Sequence, residues 1–173
     1  MTKEPMDNNL LNTINDKLKA KFGDAILFAE QHYDFPVFIV KREKIIEILQ
    51  FLKEDQEMGF GFLTTMCAIH YPESKGQELG MMYQLHNMQK NWRIRLKIFM
   101  PVNDPVVPTA TGLFATANWM ERQEYDFFGI VFKGHPNLKR ILNMDEMNYF
   151  PMRKEYPLED VKRDDKDDRM FGR

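Results

Sequence analysis

The chain of 173 residues predicts an α+β two-layer sandwich, with helices on one face of a mixed or largely antiparallel sheet. Two segments, around residues 11–22 and 45–52, repeat apolar residues at helical spacing. In Trp92–Met100, Ile94, Leu96 and Ile98 alternate with Arg93, Arg95 and Lys97, the pattern of a strand with one face in a core and one in water. The order is helix, two strands, helix, three strands, and three strands in succession favour antiparallel pairing.

Asp7 or Asn8 can cap a first helix whose Leu11, Ile14, Leu18 and Phe22 form one stripe, and Gly23 supplies a left-handed stop. Ala25–Gln31 and Pro36–Val40 are apolar runs joined by the turn-prone Tyr33-Asp34-Phe35-Pro36, which makes a hairpin. Lys41–Glu54 returns to helical spacing through Ile45, Ile48, Leu49 and Leu52. After Gly59 and Gly61, Phe62–Tyr71 reads as a strand ended by the loop Pro72-Glu73-Ser74-Lys75-Gly76, and Met81–His86 as the next strand. Thr109 or Thr111 caps a helix running from about Leu113 to Phe128, which Gly129 ends. Ile130-Val131-Phe132 is a short strand or extended segment before the Gly134-His135-Pro136 turn.

From Asn143 onward periodicity fades, and Pro151 and Pro157 bracket irregular backbone. Residues 159–169 mix charges with almost no apolar side chain, so this tail is expected to be mobile in an isolated subunit. The expected organisation is an α+β domain over 1–112, a signature helix and partner-binding segment packed on it over 113–158, and a charged tail over 159–173.

A net charge of -2 gives no long-range attraction to nucleic acid or anionic lipid. The basic strand face of Arg93, Arg95 and Lys97 therefore points to solvent or an acidic protein partner rather than to a nucleic acid. No apolar run approaches the roughly 18 residues that a membrane span needs. The opening MTKEPMDNN has neither secretory nor transit-peptide character, so a cytoplasmic address is expected. Cys67 alone cannot ligate an iron-sulfur cluster, and its neighbours Met66, Ala68 and Ile69 suggest a buried strand thiol. His32, His70, His86 and His135 lack metal-site spacing, and no Gly-rich phosphate loop or dinucleotide fingerprint occurs, so no metal or cofactor is expected in this chain.

The stretch Ala117–Leu158 is different in kind. Trp119, Tyr125, Phe127 and Phe128 are interleaved with Glu121, Arg122, Glu124 and Asp126, so neither helical stripe is cleanly apolar. Aromatic residues and Arg are enriched at interface hot spots, which suggests one side packed on the parent domain and the other on a partner protein. A capped surface helix with local ion pairs is the other reading of the same residues.

The runs Glu121-Arg122-Gln123-Glu124, Asp126-Phe127-Phe128-Gly129-Ile130, Gly134-His135-Pro136, Arg140-Ile141-Leu142 and Arg153-Lys154-Glu155-Tyr156-Pro157, in that order, resemble the signature of the C-subunit family of the proton-pumping NADH:quinone oxidoreductase, respiratory complex I. The match is strong over Ala117–Leu158, with echoes in Tyr83-Gln84-Leu85-His86 and Arg93–Ile98. It departs at Met152, where Leu is usual, and at Glu155, where Asp is usual. In Ala68-Ile69-His70-Tyr71-Pro72, His70 replaces the acid of a Val-Asp-Tyr-Pro type sequence.

The resemblance implies a two-layer fold with a C-terminal extension that wraps neighbouring subunits. It implies a peripheral-arm component without a redox centre, docked on the D subunit, which together with the B subunit forms the quinone cavity, and near others such as the I subunit. NADH, FMN, iron-sulfur clusters and quinone would be bound by other subunits, and the isolated chain would catalyse nothing. The complex would sit at the cytoplasmic face of the bacterial inner membrane, touched by this chain only through its partners. Related subunits serve membrane-bound hydrogenases and other quinone reductases.

The expected interface residues are Trp119, Glu121, Arg122, Glu124, Tyr125, Asp126, Phe128, His135, Arg140, Arg153, Lys154 and Tyr156. Buried pairs among Glu121, Arg122, Glu124 and Asp126 would set its register, and Arg153 would grip a carboxylate. A competing reading is a free-standing enzyme with Glu121, Glu124, Asp126 and His135 as acid and base groups.

Overall fold

The structure, a computed structural model, describes residues 8–33 and 35–156. In chain order they form α1 (Asn8–Phe22), β1 (Ile26–His32), β2 (Phe35–Val40), α2 (Ile45–Glu54), β3 (Phe62–His70), β4 (Leu79–Asn87), β5 (Trp92–Met100), β6 (Val106–Pro108), α3 (Ala117–Phe128) and β7 (Val131–Lys133). Five strands make a sheet in the order β1-β2-β5-β4-β3. The pairs β1–β2, β3–β4 and β4–β5 are antiparallel and β2–β5 is parallel, so the sheet is mixed.

The alternation of β5 sets the layers. Ile94, Leu96, Ile98 and Met100 are buried on one side, against Ile14 and Leu18 of α1 and Ile45, Ile48, Leu49 and Leu52 of α2 in one core. The opposite side carries a continuous row across all five strands, Phe28, Ile39, Lys97, Met82 and Cys67, none of them buried. Gly23 takes a left-handed φ of 48° directly after α1, the helix stop that its position predicts.

Four details differ from the sequence expectation. Helix α3 begins at Ala117, not near Leu113, because residues 111–116 form turns and the Leu113 carbonyl accepts a hydrogen bond from Lys53 Nζ (2.5 Å). A short strand pair, β6 with β7, is parallel; only three residues long, β6 leaves no period to read between Pro105 and Pro108. Helix α2 starts at Ile45, after a 3-10 turn at Arg42–Lys44. Cys67 is half-buried rather than buried, since the pleat turns it to the open sheet face; burial still pushes its thiol up, helped by the nearby Glu124 charge. The capping by Asp7 or Asn8 and the tail over 159–173 lie outside the described side chains.

Candidate functional site: a helix of buried carboxylates and its strap

Helix α3 packs along β3, an edge strand of the sheet. Its buried stripe is Ala117, Glu121, Glu124 and Phe128, spaced as one helical face must be, with two carboxylates where a core helix would carry Leu. Each is met by backbone. Glu124 accepts the N–H of Ala68 (2.8 Å) on the unpaired side of β3 and a bond from Gln123 Nε2 (3.3 Å). Glu121 accepts the N–H of Ala110 (2.6 Å) and bonds the Thr109 hydroxyl (2.5 Å). A lone edge N–H in a dry site costs about as much as a lost hydrogen bond, so Glu124 completes the edge that β3 leaves open. Burial raises both carboxyls to about 7, against the pull of these hydrogen bonds. The phenol of Tyr83, buried without a hydrogen-bond partner, is also pushed up by burial and by the Glu121 charge.

Asp126 is also buried, but it turns toward the chain that follows α3. It accepts the N–H groups of Ile141 (3.1 Å), Leu142 (2.8 Å) and Asn143 (3.0 Å), the Asn143 side-chain amide (3.0 Å) and the Arg140 guanidinium (2.8 Å). Burial opposes its charge, but the bonds from Asn143, Leu142 and Arg140 outweigh burial and hold the carboxyl well below the usual range. Arg140 donates further to the carbonyls of Asp126 (2.9 Å), Met147 (2.8 Å) and Tyr149 (3.1 Å). One ion pair thus fixes the loop that begins the segment 137–156, which runs back over the domain as a strap.

The rest of the strap returns to the fold by backbone bonds. The Met152 N–H donates to the Phe127 carbonyl (3.2 Å), Arg153 Nε to the Phe128 carbonyl (2.8 Å), and the Lys154 N–H to His70 Nδ1 (3.0 Å) on β3. His70 therefore acts as an acceptor that anchors the strap. The Phe150 ring lies near two guanidinium groups, Arg140 at 5.2 Å and Arg153 at 4.7 Å. That ring also sits against Gly129, where a Cβ would come within 2.5 Å of it and where φ is +76°. Gly129→Ala is expected to cost about 2 kcal/mol from the left-handed backbone and the displaced ring, read as a lower denaturation midpoint.

Arg122 Nε and Nη2 reach the carbonyls of Lys139 (3.2 Å) and Arg140 (3.4 Å), and its guanidinium lies 4.9 Å from the exposed Trp119 ring. His135 accepts the Asn137 N–H at Nδ1 (3.0 Å), which leaves Nε2 to donate to the Asn118 carbonyl (3.1 Å). The pairs expected among Glu121, Arg122, Glu124 and Asp126 do not form: the acids bond Ala110, Ala68 and residues 140–143, and Arg122 bonds carbonyls. Arg153 Nε likewise goes to a carbonyl, with Glu155 only at 4.0 Å from Nη1. Phe128 is buried, Tyr125 half-buried, and Lys154 and Tyr156 exposed. Sequence reasoning missed Asn143, Phe150, Ala68 and Ala110, and it read Thr109 as a helix cap rather than as the partner of Glu121.

The acid/base reading finds these four groups occupied by their own chain, in bonds that build structure. Among the described residues no group of three or more His, Cys, Asp and Glu side chains could hold a metal ion. No described helix is long and apolar enough to cross a membrane. Among the side chains that α3 and the strap turn outward, alongside the charged Asp145, Glu146, Lys154 and Glu155, are large apolar ones: Trp119 (63% exposed), Leu142 (65%), Met144 (70%) and Met152 (50%), with Tyr149 and Tyr156 also exposed.

The family model described as "Respiratory-chain NADH dehydrogenase, 30 Kd subunit" matches residues 38–162. The chain is 41% identical over 143 residues to the second of the NADH-quinone oxidoreductase C subunits of Rhizobium etli (strain CIAT 652), covering 82% of this chain and 75% of that one. It is 40% identical over 137 residues to the NADH-quinone oxidoreductase C subunit of Mycolicibacterium gilvum (strain PYR-GCK), covering 79% of this chain and 61% of the relative. Among solved structures, the trypsin-resistant fragment (1-134) of Nqo5 superposes with a TM-score of 0.62 at 28% identity, over 74% of this chain and 98% of that one. A chain in the structure of the membrane-bound sulfane sulfur reductase, described as an archaeal respiratory membrane complex, shares the fold with a TM-score of 0.71 at 23% identity, over 85% of each.

Proposed function

This chain belongs to the respiratory-chain NADH dehydrogenase 30 Kd subunit family, and from that premise we propose that it is a non-redox core component of the peripheral arm of an NADH–quinone oxidoreductase, acting by holding its neighbours in place. One observation carries the reading. Glu121, Glu124, Asp126 and Arg140 are consumed inside the chain, in bonds that build the fold and the strap, while Trp119, Leu142, Met144, Met152 and Tyr156 face outward. A folded chain that exposes several large apolar side chains on one helix and the segment that follows it carries the residue types of an interface core.

In this reading the exposed strap docks on the D subunit, which holds the quinone site, with the B and I subunits among the other neighbours. Glu121, Glu124, Asp126, Phe128, Arg140 and Arg153 serve the interface by shaping it, while Trp119, Lys154 and Tyr156 touch the partner. Arg122, Tyr125 and His135 form the ground between. NADH, FMN, iron-sulfur clusters and quinone are bound elsewhere in the complex, at the cytoplasmic face of the membrane, and the isolated chain turns over nothing. In this reading the α+β domain is residues 1–112 and the partner-binding segment that packs on it begins at 113, joined to it by the bond from Lys53 to the Leu113 carbonyl.

Trp119→Ser combined with Tyr156→Ser tests the reading. Both positions are exposed, so the free chain should keep its stability to within about 1 kcal/mol. Co-purification with the D subunit should fall at least tenfold, which is roughly 1.4 kcal/mol of lost affinity. Retention of that partner at wild-type yield, or NADH oxidation by the purified chain alone, would overturn it.

A further inference from the structure

The sheet has two edges, and they are treated differently. The β3 edge is met by Glu124 and the strap, whereas no described strand or helix pairs with the free side of β1, which exposes Leu27 and Phe28 at 56% and 50%. Beside them lies a groove of about 440 Å³, floored by Phe28, Ile39 and Phe99 and rimmed by Lys41 and Arg42. Lys97 stands next to Ile39 in the register, and Arg95 and Arg93 continue along the same face of β5.

The charges on this face do not balance. Arg42 is engaged by Glu43 (3.5 Å) and Asp104 (2.9 Å), but among the described residues no carboxylate lies within 4.0 Å of Lys41, Arg93, Arg95 or Lys97. The acids near this face are Glu30, across Val37 from Arg95, and Glu43, which lines the groove and is engaged by Arg42. Long edge strands with large exposed apolar side chains template unwanted association unless something covers them.

We propose that this face is a second docking surface, which seats a segment of a neighbouring subunit bearing apolar side chains for the groove and carboxylates for Lys41 and Lys97. It lies at the opposite edge of the sheet from the strap, about four strand spacings or roughly 19 Å away, so the chain bridges two separate contacts. The proposal rests on membership of a multi-subunit complex, and not on the strap being one of its contacts.

The test compares the free full-length chain with the assembled complex by amine acetylation and mass spectrometry, followed by a zero-length carbodiimide, which joins amines to carboxylates in contact. Lys41 and Lys97 should label about tenfold less in the complex and cross-link to Asp or Glu of another subunit. Equal labelling in the two samples, or cross-links only to a second copy of this chain, overturns the proposal. Leu27→Asp with Phe28→Asp, both on the exposed edge, should leave the melting temperature of the free chain unchanged and restore labelling of both lysines. Protection that survives this double substitution also overturns the proposal. Failure of the Trp119 and Tyr156 substitutions to release the quinone-site partner would leave all these readouts unmoved, which separates the two surfaces.

Discussion

Asp126→Ala is expected to destabilise the full-length chain by about 3–5 kcal/mol, the range for leaving one member of a buried ion pair without its partner. Arg140 would keep its carbonyl acceptors but lose its counter-charge, and the amides of residues 141–143 would lose their shared acceptor. Asp126→Asn keeps the shape and removes the charge; with one acceptor oxygen in place of two it should fall between wild type and Ala. Urea midpoints at constant m-value measure the loss, and hydrogen exchange locates it: amides 141–143 should exchange fast while those of β4 and β5 remain protected. Uniform loss of protection across the sheet would show that Asp126 holds more than the strap. The folded carboxyl titrates well below its unfolded value near 3.9, so its contribution is present above about pH 4 and is lost as the pH falls further.

The two glutamates of α3 respond in the opposite direction. Their folded carboxyls lie at about 7, above an unfolded value near 4.3, so the folded state favours the protonated form. Stability is full below about pH 4 and is lost as the pH rises from there through about 7, by roughly 4 kcal/mol for each residue at about 1.4 kcal/mol per pH unit. Thermal melts of the wild type between pH 5 and 8 should therefore decline by roughly 10 °C or more. Glu121→Gln and Glu124→Gln should each flatten that decline, because an amide oxygen still accepts the Ala110 or Ala68 N–H and carries no charge to desolvate. Curves parallel to wild type would mean that the carboxylates are stabilised in their charged form. The contributions of Asp126 and of these two glutamates overlap most near pH 4–5.

The sheet and the first two helices were legible because their burial is periodic and apolar. Leu11, Ile14 and Leu18 announce α1, and Ile94, Leu96 and Ile98 announce β5, wherever their partners lie. Helix α3 obeys the same 3.6-residue rule, but Glu121 and Glu124 stand in its core stripe and break the apolar signal. What permits them there is a pair of backbone amides, Ala110 and Ala68, and the second is 56 positions away in sequence. Nothing in the α3 sequence names those partners, so its mixed charge and aromatic content read as an outward-facing surface when much of it faces inward. The resemblance to the C-subunit family singled out the same segment, and in the structure its acids bond their own chain rather than one another. The β6–β7 pair and the ring of Phe150 between two guanidinium groups had no local signature, since each depends on chain segments brought together by the completed fold.

The strap closes only on a finished edge, because His70 and Ala68 must already sit in β3 before Lys154 and Glu124 have anything to grasp. A nascent or damaged chain with β3 out of register would show no ordered Trp119–Met152 surface, however intact its helices. If a partner docks on the strap as proposed, its grip reports on the register of β3, a strand that lies beneath that surface.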